Sequence, residues 1–377
     1  MTAQLFTPIT LRGVTARNRI VISPMCTYAA RDGMANDWHL AHIGKFALGG
    51  AGIVILEATA VEARGRITHG CLGIWSDQHA QALARLAAFL KAHGSVPAIQ
   101  LGHAGRKASM QRPWYGNGPL GAEDAARGDL PWEIIGPTDQ PQDQGWLVPK
   151  AMSQADIDTV IQALVDGARR ADQAGFEIAE IHGAHGYLLH SFLSPISNTR
   201  GDGYGGSLAG RMRLALEVTE AVRTVWPADK PLFFRISAVD ATEGGWRIED
   251  SVELARALKA RGVDVIDCSS GGIAGSPTSA MVPRELGFQV PFAARVRREA
   301  DIATQAVGLI LDGPQAEAIL RAGDADLIAI GREALADPYW PHRAARALGV
   351  HDGFDGWPQA YGWWLERRAR TLAKIMG

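Results

Sequence analysis

A near-continuous apolar run, Ile53-Val-Ile-Leu56, is followed by a helical pattern over residues 78–93. A strand without polar alternation is typical of a parallel sheet that is covered on both faces, and the following helix supplies one cover. Further runs complete a set of predicted strands at 19–25, 53–58, 96–101, 176–182, 232–237, 263–269, 305–310 and 326–330. Helical patterns lie at 78–93, 154–174, 210–226, 249–260 and 313–322.

This alternation predicts an α/β fold in which the strands run parallel and helical crossovers pack on the sheet. Eight units over about 330 residues favour a closed (β/α)₈ TIM barrel over an open doubly wound sheet. We expect one domain spanning residues 1–377. In such a barrel the carboxyl ends of the strands form the mouth at which chemistry is done.

Two segments depart from the repeating pattern. Residues 102–149, after the third strand, are rich in glycine and proline and predict a lid or small subdomain. We expect its tryptophans to be buried or to meet a ligand; they are Trp114, Trp132 and Trp146. The aromatic tail at 357–368 is expected to pack on the barrel or on a neighbouring subunit, because exposed aromatic clusters are a liability.

Composition excludes several classes of protein. With 47% hydrophobic residues, 21% charged residues and a net charge of -2, the chain has no electrostatic footprint for nucleic acid or an anionic membrane. Residues 1–8 do not resemble a signal peptide, and no apolar run approaches the roughly 20 residues that span a bilayer. Three cysteines do not predict a disulfide framework, so we expect a reducing cytoplasm.

The most informative stretch for chemistry is Glu180-Ile-His182-Gly-Ala-His185-Gly-Tyr187, at the end of the fourth predicted strand. Two imidazoles and a phenol leave the strand end together. They can offer two hydrogen-bond donors and one acid to a single small substrate.

Other strand ends also carry candidate functional groups. The first brings Cys26 and Tyr28 to the mouth, where the thiol is either a buried small hydrophobe or a functional group. The third ends at Gln100, whose amide can read a heterocycle by donating and accepting together. The fifth carries Arg235, which must meet an anion or a ring oxygen, or else a neighbouring carboxylate in a structural salt bridge.

Strands six to eight are followed by glycines, in Ser269-Ser-Gly-Gly272, Asp312-Gly313 and Gly331-Arg332-Glu333. Barrels frequently hold phosphate between the loops after strands seven and eight. Small residues let backbone N–H groups approach the anion, and Arg332 adds charge. We therefore expect a phosphorylated cofactor.

A metal site is not expected. His182 and His185 could bind a metal with His39 or His42, but no acidic ligands cluster after them and Tyr187 would then have no role. We interpret His39 and His42 as residues on a helix face.

These residues lie in longer motifs that resemble the old yellow enzyme flavoproteins, ene-reductases that carry FMN in a (β/α)₈ barrel. The resemblance runs from about residue 5 to residue 368. Its motifs are Asn18-Arg-Ile-Val-Ile-Ser-Pro-Met-Cys26, Asp37-Trp-His39, Gly50-Ala-Gly52, Glu57-Ala-Thr59, Gln100-Leu-Gly-His-Ala-Gly-Arg-Lys107, His182-Gly-Ala-His-Gly-Tyr187, Tyr204-Gly-Gly-Ser207 and Ile330-Gly-Arg332. The cysteine at position 26, rather than a threonine, resembles the pattern of the bacterial branch that includes the xenobiotic reductases and the thermophilic-like ene-reductases.

The resemblance implies an FMN site made by Ser23, Pro24, Met25, Cys26, Ala58, Gln100, Arg235, Asp312, Gly313, Gly331 and Arg332. It places the Cys26 thiol near flavin N5 and pairs Gln100 with the pyrimidine edge. It puts Arg235 beside N1 and the C2 carbonyl, where a cation favours the anionic reduced flavin. Gly331 and Arg332 would hold the phosphate, with the turn at Asp312 and Gly313 as a neighbour.

It also implies a ping-pong reaction in which NADPH or NADH reduces FMN, and an enone-type small molecule is then reduced. His182 and His185 would donate to the substrate's oxygen, hydride would pass to the β-carbon, and Tyr187 would protonate the α-carbon. Tyr28 would contact the same oxygen or line the pocket. The tail resembles the end of xenobiotic reductases, which reaches an active site, so Trp364 is expected in a neighbour's pocket within a homodimer or homotetramer.

Two alternatives stay open at this point. One is a flavin-free, phosphate-binding barrel lyase or isomerase that uses His182 or His185 as a base. The other is a non-catalytic flavin-binding redox sensor built on Cys26.

Val307 is placed in the seventh strand, where a small side chain would widen the pocket, and His190 is interpreted as helical and structural.

Overall fold

The computed structural model describes residues 3–273, 282–350 and 353–376. Eight parallel strands close into a barrel in which each strand pairs with its neighbours in the chain and the eighth pairs with the first. Strands β1 to β8 are Ile20–Ile22, Ile53–Ala60, Val96–Gly102, Ile178–Gly183, Leu232–Ser237, Val265–Ser269, Ala303–Ala306 and Leu327–Ile330. The predicted (β/α)₈ barrel is confirmed.

The barrel interior changes from apolar to polar toward the mouth. Because side chains alternate between the two faces of a strand, every second residue points inward. The lower inward positions form an apolar cluster that includes Ile53, Ile178, Phe233 and Val265. Two residues further along β3 to β7, the same face carries Gln100, Glu180, Arg235, Asp267 and Gln305, all buried. A polar layer therefore lies directly beneath the strand ends.

Helices cover the outside of the barrel and bury a second, larger apolar cluster against it. Helices α1 to α9 are Asp37–Leu48, Asp77–Ala92, Gln154–Gln173, Leu208–Arg223, Ile248–Lys259, Val290–Ala300, Gly313–Ala322, Trp340–Ala347 and Gln359–Met376. The five helical patterns recognised in the sequence correspond to α2 to α5 and α7. His39 and His42 lie on α1, as expected. Across the described residues, no helix combines the length and apolarity needed to cross a bilayer.

Two predicted strands end too late in the chain. The first ends at Ile22, because Pro24 cannot donate a ladder hydrogen bond. The seventh spans Ala303–Ala306 rather than 305–310. Its end is set by Gly308 and Leu309, whose φ angles of +117° and +51° leave the extended region. Val307 therefore lies in the turn after the strand, and its placement inside the strand was wrong.

The excursion after β3 folds back over the strand ends. It contains a short helix, Ala122–Ala126, and the segment Ile135–Gly136, which pairs with Lys150–Ala151 just after the excursion. Its three tryptophans were expected to be buried or to meet a ligand, but they differ in exposure. Trp132 is half-buried and donates Nε1–H to the Arg64 carbonyl oxygen over 2.9 Å, and Trp146 is also half-buried. Trp114 is 60% exposed, with its ring edge against Tyr28.

The aromatic tail packs on the barrel in one place. Trp357 stacks on Tyr339 and His342, with ring centroids 4.9 and 4.2 Å away. Helix α9 follows and buries none of its residues. Trp363 and Trp364 are 48% and 68% exposed, so these two side chains do not pack on the barrel of their own chain.

Gly49, at the end of α1, lies against the backbone of Pro338. A Cβ at this position would overlap the Pro338 carbonyl oxygen, which is backbone and cannot rotate away. We expect Gly49→Ala to lower the free energy of unfolding by about 1–3 kcal/mol, the usual cost of overpacking. The matched control is Gly201→Ala, whose Cβ meets no heavy atom within 4 Å. Urea denaturation of both variants checks this, and equal midpoints would contradict the packing argument.

Candidate active site

The loop after β4 brings three functional side chains together at the barrel mouth. The ring centroids of His182 and His185 are 5.2 Å apart, and those of His182 and Tyr187 are 5.0 Å apart. All three rings are close to perpendicular to one another. They therefore face a common space rather than stacking.

The loop is held in a conformation that needs glycine. His185 and Gly186 have φ angles of +61° and +75°, in the left-handed region. A Cβ on Gly186 would also overlap the Gly272 carbonyl oxygen. Lys107 joins the same two segments, because its Nζ donates to the carbonyl oxygens of His185 (2.9 Å) and Gly272 (3.2 Å). The β4 and β6 loops are thus tied to each other and to the excursion.

His190 supports the loop from below. It is fully buried, as expected for a structural residue, in the short helix Leu188–Leu193. Its Nδ1 accepts the Gly186 N–H at 2.8 Å, so the ring proton lies on Nε2, which donates to Asp240 at 2.8 Å. Asp240 also accepts the Ser194 hydroxyl at 2.6 Å. The Asp240 carboxylate therefore holds the orientation of the His190 ring, and the ring in turn holds the backbone of Gly186.

Both site histidines are neutral at physiological pH. Burial, and then the charge of Arg235, hold the pKa of His182 and of His185 well below the usual range. His182 Nδ1 accepts the Ala184 N–H at 3.2 Å, so its own proton lies on Nε2. His185 Nε2 lies 2.7 Å from the Ser269 hydroxyl. Each imidazole can therefore donate a single N–H.

Tyr187 is kept protonated. Burial raises the pKa of its phenol well above the usual value. The Lys107 ammonium lies 5.3 Å from its ring centroid, but burial lowers the pKa of Lys107 to about 8. The phenol is therefore available as an acid and not as a phenolate.

Cys26 and Tyr28 pack with Tyr187 in a small apolar cluster at the mouth. Burial raises the pKa of the Cys26 thiol, and the neighbouring Glu57 raises it further. Burial likewise raises the pKa of the Tyr28 phenol, and Cys26 adds to that effect. Cys26 is thus a thiol, not a thiolate nucleophile. Its side chain is partly exposed at the barrel mouth.

Glu57 lies directly behind this pair. Its carboxylate accepts the Thr27 N–H at 3.1 Å and the Thr27 hydroxyl at 2.6 Å. Burial raises the pKa of Glu57 from its usual 4.5 to about 7. His39 Nε2 lies 3.9 Å away, but burial lowers its pKa to about 4, so it brings no charge at neutral pH.

The raised pKa of Glu57 makes stability depend on pH. The folded chain binds this proton more tightly than the unfolded chain, so the stabilisation is present below about pH 4.5 and is lost as pH rises through about 7. The difference between the two pKa values corresponds to about 3 kcal/mol. The amide of Glu57→Gln cannot take up this proton. We therefore expect the free energy of unfolding of the variant to fall less than that of the wild type between about pH 5 and pH 7.5. Urea denaturation at both pH values tests this, and equal declines in the two proteins would contradict it.

The polar layer beneath the loop leaves several buried groups without partners. Within the described ranges, Ser23 Oγ makes no hydrogen bond, and the Gln305 amide makes none of good geometry although it lies against Asp267. Arg235 lies 3.2 Å from Asp267, so the salt bridge anticipated as an alternative is present, yet its Nε makes no well-aligned hydrogen bond. Unpaired buried polar atoms are costly, which indicates that a polar ligand completes them.

A second part of the site lies between the ends of β7 and β8. It is a cavity of about 340 Å³ lined by residues 307–311 and 331–333 together with Ala329. A Cβ on Gly331 would project toward Met25 and Ser23, 3.8 and 3.9 Å away, so glycine leaves room there. Arg332 is exposed and has no ion-pair partner in the part of the chain that the structure describes. An elongated ligand with an anionic end fits this arrangement.

Some predicted residues lie outside these two regions. Asp312 caps α7 by accepting the Gln315 N–H at 2.8 Å, and Gly313 packs against Ala344. Neither lines the cavity, because β7 ends earlier than expected and Gly308 to Leu311 take that place. Trp364 is exposed on α9, with its ring edge against Trp363.

The other predicted residues lie at the mouth. Pro24 and Met25 follow β1 and are half-buried. Ala58 lines a cleft with His182 and Tyr187. Gln100 Nε2 donates to Glu180 Oε1 at 2.7 Å, so one of its donors is already used. No group of three or more potential metal ligands occurs among the described residues.

Sequence reasoning missed four residues that shape the site. Lys107 stands in a quoted motif, but nothing in its spacing indicates that it reaches the β4 loop. Glu180, Asp267 and Gln305 carry a signal that could have found them, because each lies at an inward position of its strand. A polar side chain at an inward position of a buried strand is unusual enough to indicate a function.

Known proteins resemble this chain over nearly its whole length. A family model described as the NADH:flavin oxidoreductase / NADH oxidase family matches residues 4–350. NADPH dehydrogenase of Geobacillus sp. (strain WCH70) is 49% identical over 356 residues, which are 93% of this chain and 96% of the relative. NADPH dehydrogenase of Bacillus subtilis (strain 168) is 44% identical over 350 residues, 92% and 96% of the two chains. A solved morphinone reductase variant in complex with tetrahydroNAD is 25% identical with a TM-score of 0.73, covering 92% of this chain and 91% of that one.

Proposed function

The chain belongs to the NADH:flavin oxidoreductase / NADH oxidase family, the old yellow enzyme flavoproteins, and from this we propose that it is an FMN-dependent ene-reductase. It would reduce activated C=C bonds of small molecules, such as enones and maleimides, with electrons from NADPH or NADH. The observation that carries the proposal is the convergence of two neutral imidazoles and one protonated phenol above a polar layer with unpaired atoms.

The residues fit FMN at both ends. Gln100 and Arg235 offer donors to the edge of a heterocycle, and Ser23, after β1, offers an unpartnered hydroxyl. The cavity at Gly331 and Arg332 accepts the phosphate. FMN bound in this position supplies the hydride chemistry between NAD(P)H and the substrate.

The protein's own contribution is to stabilise charge and deliver a proton. His182 and His185 donate N–H groups to the substrate's oxygen, where negative charge develops during reduction, and fixed donors in a water-poor site are most effective there. Tyr187 holds a proton at its hydroxyl and transfers it to the α-carbon. Tyr28 lines the pocket next to it.

The two alternatives are less well supported. Family membership makes a flavin-free lyase or isomerase unnecessary, and the low pKa of both histidines makes each a weak base. A redox sensor built on Cys26 would have no use for a proton donor, and burial disfavours the Cys26 thiolate.

Anaerobic absorption spectroscopy tests the proposal. The purified protein should show a flavin band that bleaches with NADPH and returns on addition of 2-cyclohexenone. The same experiment with NADH in place of NADPH shows which electron donor the protein prefers. A maleimide or a nitroalkene in place of 2-cyclohexenone shows which acceptor it prefers. A protein that carries no flavin and takes up none from added FMN would overturn the proposal.

We also propose that the chain forms a homodimer or homotetramer in which Trp364 approaches a neighbour's site, and that it acts in the cytoplasm. The exposed aromatic face of α9 supports the assembly. Light scattering would give the mass, and a monomeric mass at micromolar concentration would contradict it. Cell fractionation would test the location.

A further inference from the structure

The polar layer contains two acidic side chains and one basic one. Glu180 on β4 and Asp267 on β6 point into the barrel and are fully buried, and Arg235 on β5 lies between their strands. The apolar cluster of the barrel interior lies below this layer, and the His182 loop lies above it. Neither carboxyl group has a role in the proposed reaction.

The contacts link these acids to two flavin-facing residues. Gln100 Nε2 donates to Glu180 Oε1 at 2.7 Å, and Arg235 Nε lies 3.2 Å from Asp267 Oδ2. Apart from these contacts, Glu180 Oε2 and the Asp267 oxygens face only each other and the Gln305 amide among the described residues. The two carboxyl groups contact each other. A continuous chain of side chains therefore runs from Gln100 to Arg235.

Charge balance requires a proton in this chain. Two fully buried carboxylates in contact repel each other too strongly for both to be ionised beside a single guanidinium, so one of them stays protonated. Burial, reinforced by Asp267, raises the pKa of Glu180 well above its usual value. Burial also raises the pKa of Asp267, but Arg235, 3.2 Å away, opposes this by favouring the ionised carboxylate. Glu180 is then the neutral member, and its Oε2–H donates to Asp267.

We propose that Glu180 and Asp267 are positioning residues that share one proton, orient Gln100 and Arg235, and offset most of the Arg235 charge beneath the flavin. The proposal rests on the FMN site proposed above. It implies that the pair keeps the flavin's reduction potential lower than Arg235 alone would set it, because a nearby negative charge disfavours the anionic reduced flavin.

Two variants separate charge from shape. In Glu180→Gln the amide can still accept from Gln100 and donate to Asp267, and the net charge of the layer is unchanged if Glu180 is already neutral. The double variant Glu180→Gln/Asp267→Asn keeps the size of both side chains but removes the remaining negative charge. Spectroelectrochemical titration of bound FMN measures the potential of each protein.

We expect Glu180→Gln to match the wild-type potential. The double variant should shift the ratio of reduced to oxidised flavin about tenfold toward the reduced form at a fixed potential, which is about 30 mV for a two-electron couple. A rise in Glu180→Gln as large as in the double variant would overturn the shared proton. An unshifted double variant would overturn the electrostatic role.

Infrared spectroscopy gives a second, flavin-independent test. The wild-type minus Glu180→Gln difference spectrum should show a protonated carboxyl stretch, because the Glu57 carboxyl contributes equally to both proteins and cancels; a difference spectrum without this stretch would contradict the assignment. If the wild-type protein binds no FMN, the proposed function fails while this band still tests the pair. Circular dichroism confirms that each variant is folded.

Discussion

Tyr187→Phe is expected to slow the reduction of 2-cyclohexenone by the reduced enzyme about 100- to 10,000-fold, the usual contribution of a positioned general acid. The phenol is the one acid of the β4 loop, and burial raises its pKa well above the usual value, so it carries a proton throughout the physiological range. Phenylalanine preserves the ring that packs against His182 and removes only the hydroxyl.

Stopped-flow measurement of the two half-reactions isolates this step. Flavin reduction by NADPH should be unchanged in Tyr187→Phe, because that half-reaction does not use the phenolic proton. Tyr115→Phe, which removes the hydroxyl of an exposed tyrosine in the excursion, is the matched control. Equal slowing of both half-reactions would show that the hydroxyl positions the site rather than donating a proton.

His182→Ala is expected to lower kcat/KM for the enone about 100- to 1,000-fold, the usual effect of removing one donor from an oxyanion site. The Ala184 N–H bond to Nδ1 holds the proton on Nε2, so the lost group is a fixed donor. His182→Asn retains an N–H and should recover part of the activity. His93→Ala, at the exposed end of α2, is the control.

The protonation state of His182 gives this prediction a pH test. Because burial and Arg235 hold the pKa of His182 well below the usual range, the imidazole is neutral on both sides of pH 6.5. The ratio of wild-type to His182→Ala activity should therefore stay constant from about pH 6 to pH 8. A ratio that falls as pH rises through about 6.5 would mean that a protonated imidazole is the donor.

The sequence by itself determined the barrel and the group of residues in the β4 loop. Strand and helix periods are local, so eight apolar runs with helices between them specify the fold without knowledge of any contact. His182, His185 and Tyr187 lie within six positions of one chain segment, and their convergence follows from the strand end that carries them.

Only the tertiary structure decided which groups meet across the barrel. Asp267 as the partner of Arg235, and Glu180 as the link to Gln100, depend on the register between strands that are far apart in the chain. A shift of one residue in register would turn these four side chains to the other faces of their strands, and register is set by packing of the whole barrel rather than by any local pattern. Lys107 against His185, and Gly308 in place of Gly313 at the cavity, lie in turns whose meeting also requires the closed barrel.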